Sequence, residues 1–67
     1  MDISRSIRVG LACRKVTSKD LADRVGISES YLSRLKQGYK VPTIQTLDLI
    51  AASLEYRVSE FIALGED

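Results

Sequence analysis

Histidine is absent from this chain, so no imidazole is available for a proton relay, a nucleophilic triad or the commonest kind of metal ligation. The single cysteine, Cys13, cannot close an internal disulfide or, without histidine, complete a four-ligand zinc site. It reads as a small helix residue in a reducing compartment. The four glycines are scattered and form no phosphate-cradling loop. Asp20 and Asp23 are the one carboxylate pair at helical spacing, and they read as cap and surface residues. An enzyme is therefore not expected, and neither a cofactor, a metal nor a small-molecule ligand is indicated. Long apolar runs are also missing. The longest stretch without a charge, Val41 to Leu47, is far too short to cross a bilayer or to act as a signal core, which implies a cytoplasmic protein.

What is present suits one small folded domain covering 1–67. Apolar residues are 45% and charged residues 28% of the sequence, an ordinary balance for a chain that folds. Sixty-seven residues lie near the lower limit for a core without disulfide or metal support, a size at which a partner subunit commonly adds stability. The net charge of +1 conceals an asymmetry: residues 1–40 hold nine of the ten basic side chains beside four acids, whereas 41–67 hold Arg57 against five acids. One half is basic, as a surface that meets phosphates requires, and the other is acidic.

Periodicity predicts helices throughout and no strands. Ile3, Ile7 and Leu11 recur every four residues and place a first helix over about Ile3–Arg14. A second, about Ser18–Val25, has Thr17 or Ser18 as cap, Asp20 in its opening turn, and Leu21, Ala22 and Val25 on one face. Gly26 ends it, since glycine enters the left-handed conformation without steric cost. Ser28 caps a third helix, Glu29 complements its dipole, Leu32 and Leu35 point inward, and Gly38 stops it. At about 100° per residue its outward face carries Ser30, Ser33, Arg34 and Gln37, with Glu29 and Tyr31 at the edges. Pro42 biases Val41 toward extended backbone. Thr43 then caps a fourth helix whose stripe is Ile44, Leu47, Ile50, Ala51 and Leu54, and a short fifth helix, about Val58–Leu64, ends at Gly65.

Thr17 to Gly38 resembles the helix-turn-helix of phage repressors, Cro proteins and related small bacterial regulators. Apolar Leu21, Val25, Ile27, Leu32 and Leu35, with Ala22 and Gly26, all stand where that family has their like. The sequence departs from the family at Gly10 and Leu11, at Lys36 (where some members pair an acid with a helix 1 arginine), at Glu55 (usually glycine) and at Arg57 (often a serine cap). The resemblance implies an all-α, compact five-helix, lambda-repressor-like DNA-binding domain. It also implies a regulator that binds a double-stranded operator in a bacterial or phage-infected cell. Its small size resembles Cro-like repressors or restriction-system controllers; an antitoxin-like subunit binding a partner protein is the rival reading.

Base reading in the major groove would fall to the third helix. Arg34 can donate two parallel bonds to guanine, or be a plain surface charge at a helix end. Ser30 and Ser33 can read polar base edges. Tyr31 can meet a thymine methyl or a phosphate, or simply pack. Glu29 either accepts from cytosine or serves the helix dipole alone. Ser18 and Lys19 on one side, and Gln37, Tyr39 and Lys40 on the other, match positions where relatives hold phosphates. A homodimer is expected because one reading helix contacts too few bases. Tyr56, Val58, Phe61, Ile62 and Leu64 either supply its two-fold interface or close the core of the single chain.

Overall fold

A computed structural model describes residues 2–66. Five helices follow one another: α1 Ile3–Arg14, α2 Ser18–Val25, α3 Glu29–Gln37, α4 Ile44–Ser53 and α5 Val58–Leu64. Among the described residues there is no strand.

Side chains just outside the helices determine where four of them begin. Asp2, Thr17, Ser28 and Thr43 each sit in extended geometry and accept from the backbone N–H three residues on, satisfying one of the amides that a helix start leaves free. The Ser4 hydroxyl and the Arg5 amide both donate to Asp2, holding its carboxyl below the usual aspartate range. α5 has only half of such an arrangement. Glu60 accepts from the Arg57 backbone N–H at 2.9 Å, but the Arg57 guanidinium has no acceptor to return the bond.

Four of the helices end in a left-handed turn, made in two ways. Gly26 and Gly38 end α2 and α3 in the left-handed conformation, with φ of 82° and 83°. The chain makes the same turn after α1 and α4 without glycine, at Lys15 (φ 55°) and Glu55 (φ 62°). Glu55 thus takes the left-handed conformation that glycine enters without steric cost, and the difference is borne as backbone strain. Glu55→Gly is expected to stabilise the domain by about 1 kcal/mol, read as a rise of roughly 4–8 °C in Tm for a domain of this size. No gain in Tm would refute the strain at this residue.

The core is Ile7, Leu11, Leu21, Ala22, Leu32, Leu35, Ile50, Ala51, Leu54 and Phe61. α1 packs against α3 and α5, α2 against α3 and α4, and α4 against α5. Ile44 corrects the stripe expected of α4: standing at the first residue of the helix, it is 85% exposed, while Leu47 packs partly buried against the core and Ile50 and Ala51 are the buried positions of the helix. Two glycines are required for space. A side chain at Gly10 would come within 3.0 Å of Leu54 and 3.4 Å of Phe61, so its absence lets α1 settle onto the corner between α4 and α5. Gly65 ends α5 in right-handed geometry rather than left-handed, and a Cβ there would collide with the Asp2 carbonyl. Beside it the buried Ser6 hydroxyl lies 3.2 Å from the Asp2 carbonyl and 3.3 Å from that of Ile62, its one hydrogen serving either, and so ties the two ends of the chain together.

Candidate nucleic-acid interface

The turn between α2 and α3 is built by Gly26, whose N–H and that of Ile27 both donate to the Ala22 carbonyl. That closes α2 and points the chain into Ser28, the cap of α3. Leu32 and Leu35 are buried to 1% exposure or less, which fixes the rotation of α3 and turns its other face to solvent.

One shallow concave surface results, lined by Ser18, Glu29, Ser30, Ser33, Arg34, Lys36, Gln37 and Tyr39. It brings together four of the five residues expected to read bases and three of the five expected to hold phosphates. Lys19 and Lys40 are exposed outside it, on α2 and on the loop after α3. Tyr31 is the exception among the base readers: it is half-buried, and its ring packs against the core.

The side chains on this surface differ in how free they are. Gln37 donates to the Ser33 hydroxyl at 3.3 Å, a bond between neighbours one turn apart that holds both toward solvent. Arg34 is exposed and has no side-chain partner among the described residues. Three other arginines are occupied. Arg8 donates to the Lys36 carbonyl, Arg14 to that of Leu54 and Arg24 to that of Ser53, each at the carbonyl-rich end of a helix, where a cation is favoured. Arg14 also lies 4.2 Å over the centre of the Tyr56 ring. Much of the basic charge in residues 1–40 thus supports the fold, and within that stretch Arg34 is the arginine whose guanidinium has no partner among the described residues.

Lys36 is the residue that sequence reasoning passed over. Its ammonium donates to the Ser18 hydroxyl at 2.7 Å, bridging the end of α3 to the start of α2. Ser18 accepts this bond and keeps its own hydrogen to donate. The available signal was angular: Lys36 lies four residues after Leu32, about 40° from the buried direction, so its long stem must cross the seam between helices before its charge reaches water.

The C-terminal residues expected at an interface separate here. Phe61 is fully buried in the core of the single chain, so it cannot meet another copy; it fills the space beneath Gly10. Tyr56, Val58 and Leu64 are half-buried against the same core, and Ile62 is half-buried on α5. The exposed positions of α5 are Ser59, Glu60 and Ala63. This helix is short of free apolar surface because it spends most of it closing the monomer.

Among the described residues no cluster of acidic or cysteine side chains could hold a metal, and no helix is long and apolar enough to cross a membrane. Residues 14–61 match the family model described as helix-turn-helix. No curated protein matches the chain.

Proposed function

The chain belongs to the helix-turn-helix family, in its phage repressor and Cro-type branch, whose members are DNA-binding transcriptional regulators; from that premise we propose that this protein reads a specific double-stranded operator as a homodimer. α3 enters the major groove and α2 lies across the backbone above it. The observation that carries this reading is the concave surface on which the free guanidinium of Arg34 stands among Glu29, Ser30 and Ser33, with Ser18 and Tyr39 at its margins. Arg34 donates to guanine, and the serines and Glu29 read neighbouring polar edges. Tyr31, half-buried against the core, offers only part of its side chain.

Ser18, Lys19, Gln37, Tyr39 and Lys40 fix the register on the backbone without reading sequence. Lys36 supports this by holding the Ser18 oxygen, which aims the remaining hydroxyl proton outward. Occupying the operator then blocks polymerase or, at another promoter geometry, recruits it.

Selection of bound duplexes from a random-sequence pool tests the whole reading. Enrichment of an inverted repeat with half-sites about 34 Å apart is expected; a folded protein that enriches nothing would end it. Two variants test the assignments. Lys40→Ala is expected to weaken binding to all duplexes about equally and to lower the salt slope by roughly one, measured by titration at several salt concentrations. Glu29→Gln is expected to relax preference at one cytosine, because an amide can donate as well as accept. An unchanged preference would leave Glu29 serving the dipole of α3 alone.

A further inference from the structure

The end of α1 and the start of α2 enclose a second concave surface, which base reading does not use. Its floor is apolar, formed by Leu11, Ala12 and Val16, and its rim carries the cations Arg8, Lys15 and Lys36. No aspartate or glutamate lines it. Lys15 and Lys36 have no carboxylate partner among the described residues either, the one acceptor for their ammonium groups being the Ser18 hydroxyl. Like charges gathered around one hollow repel one another until an anion lies between them. Lys15 adds a second cost, since it holds the left-handed conformation (φ 55°) that glycine enters freely. A strained lysine beside another unpaired cation points to a ligand that uses its charge.

The reading surface and this groove meet along one ridge. Ser18 and Lys36 line both, and the Lys36 ammonium donates to the Ser18 oxygen at 2.7 Å. That bond uses one of the three ammonium hydrogens, so two remain beside the hydroxyl proton of Ser18. Arg8 braces the ridge by donating to the Lys36 carbonyl.

We propose that this groove is a phosphate seat that carries the DNA contact past the reading surface. The phosphate that Ser18 contacts is shared with Lys36 on the ridge, and the next phosphate of the same strand lies over the groove against Lys15. The inference rests on the operator reading, and continuity with the reading surface selects the occupant. Phosphates succeed one another every 3.4 Å or so of axial rise along a strand, so a strand crossing the ridge at Ser18 has neighbouring phosphates on both sides of it. Gln37 and Tyr39 serve the reading side; Lys15 is the cation that the other side offers. An acidic segment of a protein would feel the same charge, but it would have to leave Ser18 and Lys36 whenever DNA arrived.

Duplex titration of the full chain at several salt concentrations tests the seat. Lys15→Gly is the telling variant, because it removes the ammonium and relieves the backbone at once. Binding to every duplex is expected to weaken about 3- to 10-fold at moderate salt, with the salt slope lower by roughly one and base preference unchanged, while Tm rises by a few degrees. A purely structural lysine would give the rise in Tm without the loss of affinity. Lys36→Gln, whose amide can still donate to Ser18, is expected to lose a similar factor and a similar part of the slope, and Lys36→Arg, which keeps the charge, to retain both. Inorganic phosphate separates a strand from a free anion: in NMR titration of the chain without DNA, the amide shifts around Lys15 are expected to stay unsaturated at millimolar phosphate. Saturation there, with wild-type DNA affinity in Lys15→Gly, would make the occupant a free anion and overturn the proposal. Unchanged affinity and slope without saturation overturns it as well and leaves the groove to an acidic protein segment. In either case a wild-type chain that binds its operator keeps the operator reading in place, whereas one that binds no duplex brings down that reading and the seat with it.

Discussion

Phe61→Ala is expected to unfold this domain rather than merely separate its copies. The ring is wholly inaccessible to solvent, lies with its centre 6.4 Å from that of Tyr56 in a tilted arrangement, and fills the space opened by the absence of a side chain at Gly10. α5 is only seven residues long, too short to persist without packing, and Phe61 is its one fully buried apolar anchor. Removing a buried phenylalanine costs about 3–5 kcal/mol, part from lost transfer energy and part from the cavity left behind. A chain of this length has on the order of 3–10 kcal/mol in total. The loss therefore consumes much or all of the available stability. Far-UV circular dichroism should show reduced helicity near physiological temperature, and denaturant unfolding a midpoint shifted far down or no native baseline. Phe61→Leu, which keeps most of the volume, should retain the fold at a cost of about 1 kcal/mol. A variant with alanine that keeps native helicity and Tm but loses dimerisation would return Phe61 to an interface.

The same residue shows what could be read from the sequence and what could not. Helix limits were legible because they depend on neighbours in the chain: Thr17, Ser28 and Thr43 cap, and Gly26 and Gly38 turn left-handed, within three or four residues of the helix they bound. So was the inward face of α3, which needs only the spacing of Leu32 and Leu35. Whether an apolar residue faces the core of its own chain or a partner is different in kind. Phe61 and Ile44 both lie on apolar helical stripes, yet one is sealed and the other 85% exposed; the difference lies in what packs over each, Phe61 being covered at Gly10 of α1 while Ile44 stands uncovered at the start of α4. Gly10, Ser6 and Gly65 are intelligible only through contacts with residues about fifty positions away. Charge was half legible. The excess of cations in residues 1–40 is evident, but that Arg8, Arg14 and Arg24 close helix ends, leaving Arg34 free, follows from the packing alone.

That freedom makes Arg34 the side chain whose loss should most alter DNA recognition. Arg34→Ala is expected to cost about 1–3 kcal/mol on the preferred operator, a fall of roughly 5- to 150-fold in affinity for each half-site, and to leave non-specific binding nearly unchanged. The sign of that asymmetry carries the meaning. A bidentate contact to guanine O6 and N7 is lost only where guanine stands, so affinity for the best site falls while that for a site substituted at the same base pair stays put. A phosphate contact would instead lower both together and reduce the salt slope. Stability should not change, because the guanidinium is exposed and makes no bond among the described residues. Arg34→Lys sharpens the comparison. An ammonium retains the positive charge that any phosphate would feel but cannot present two parallel donors in a plane, so this variant should keep non-specific affinity at any salt concentration and still lose discrimination at one base pair of each half-site. Full specificity retained by the lysine variant would mean that charge, not the planar fork, is what Arg34 supplies.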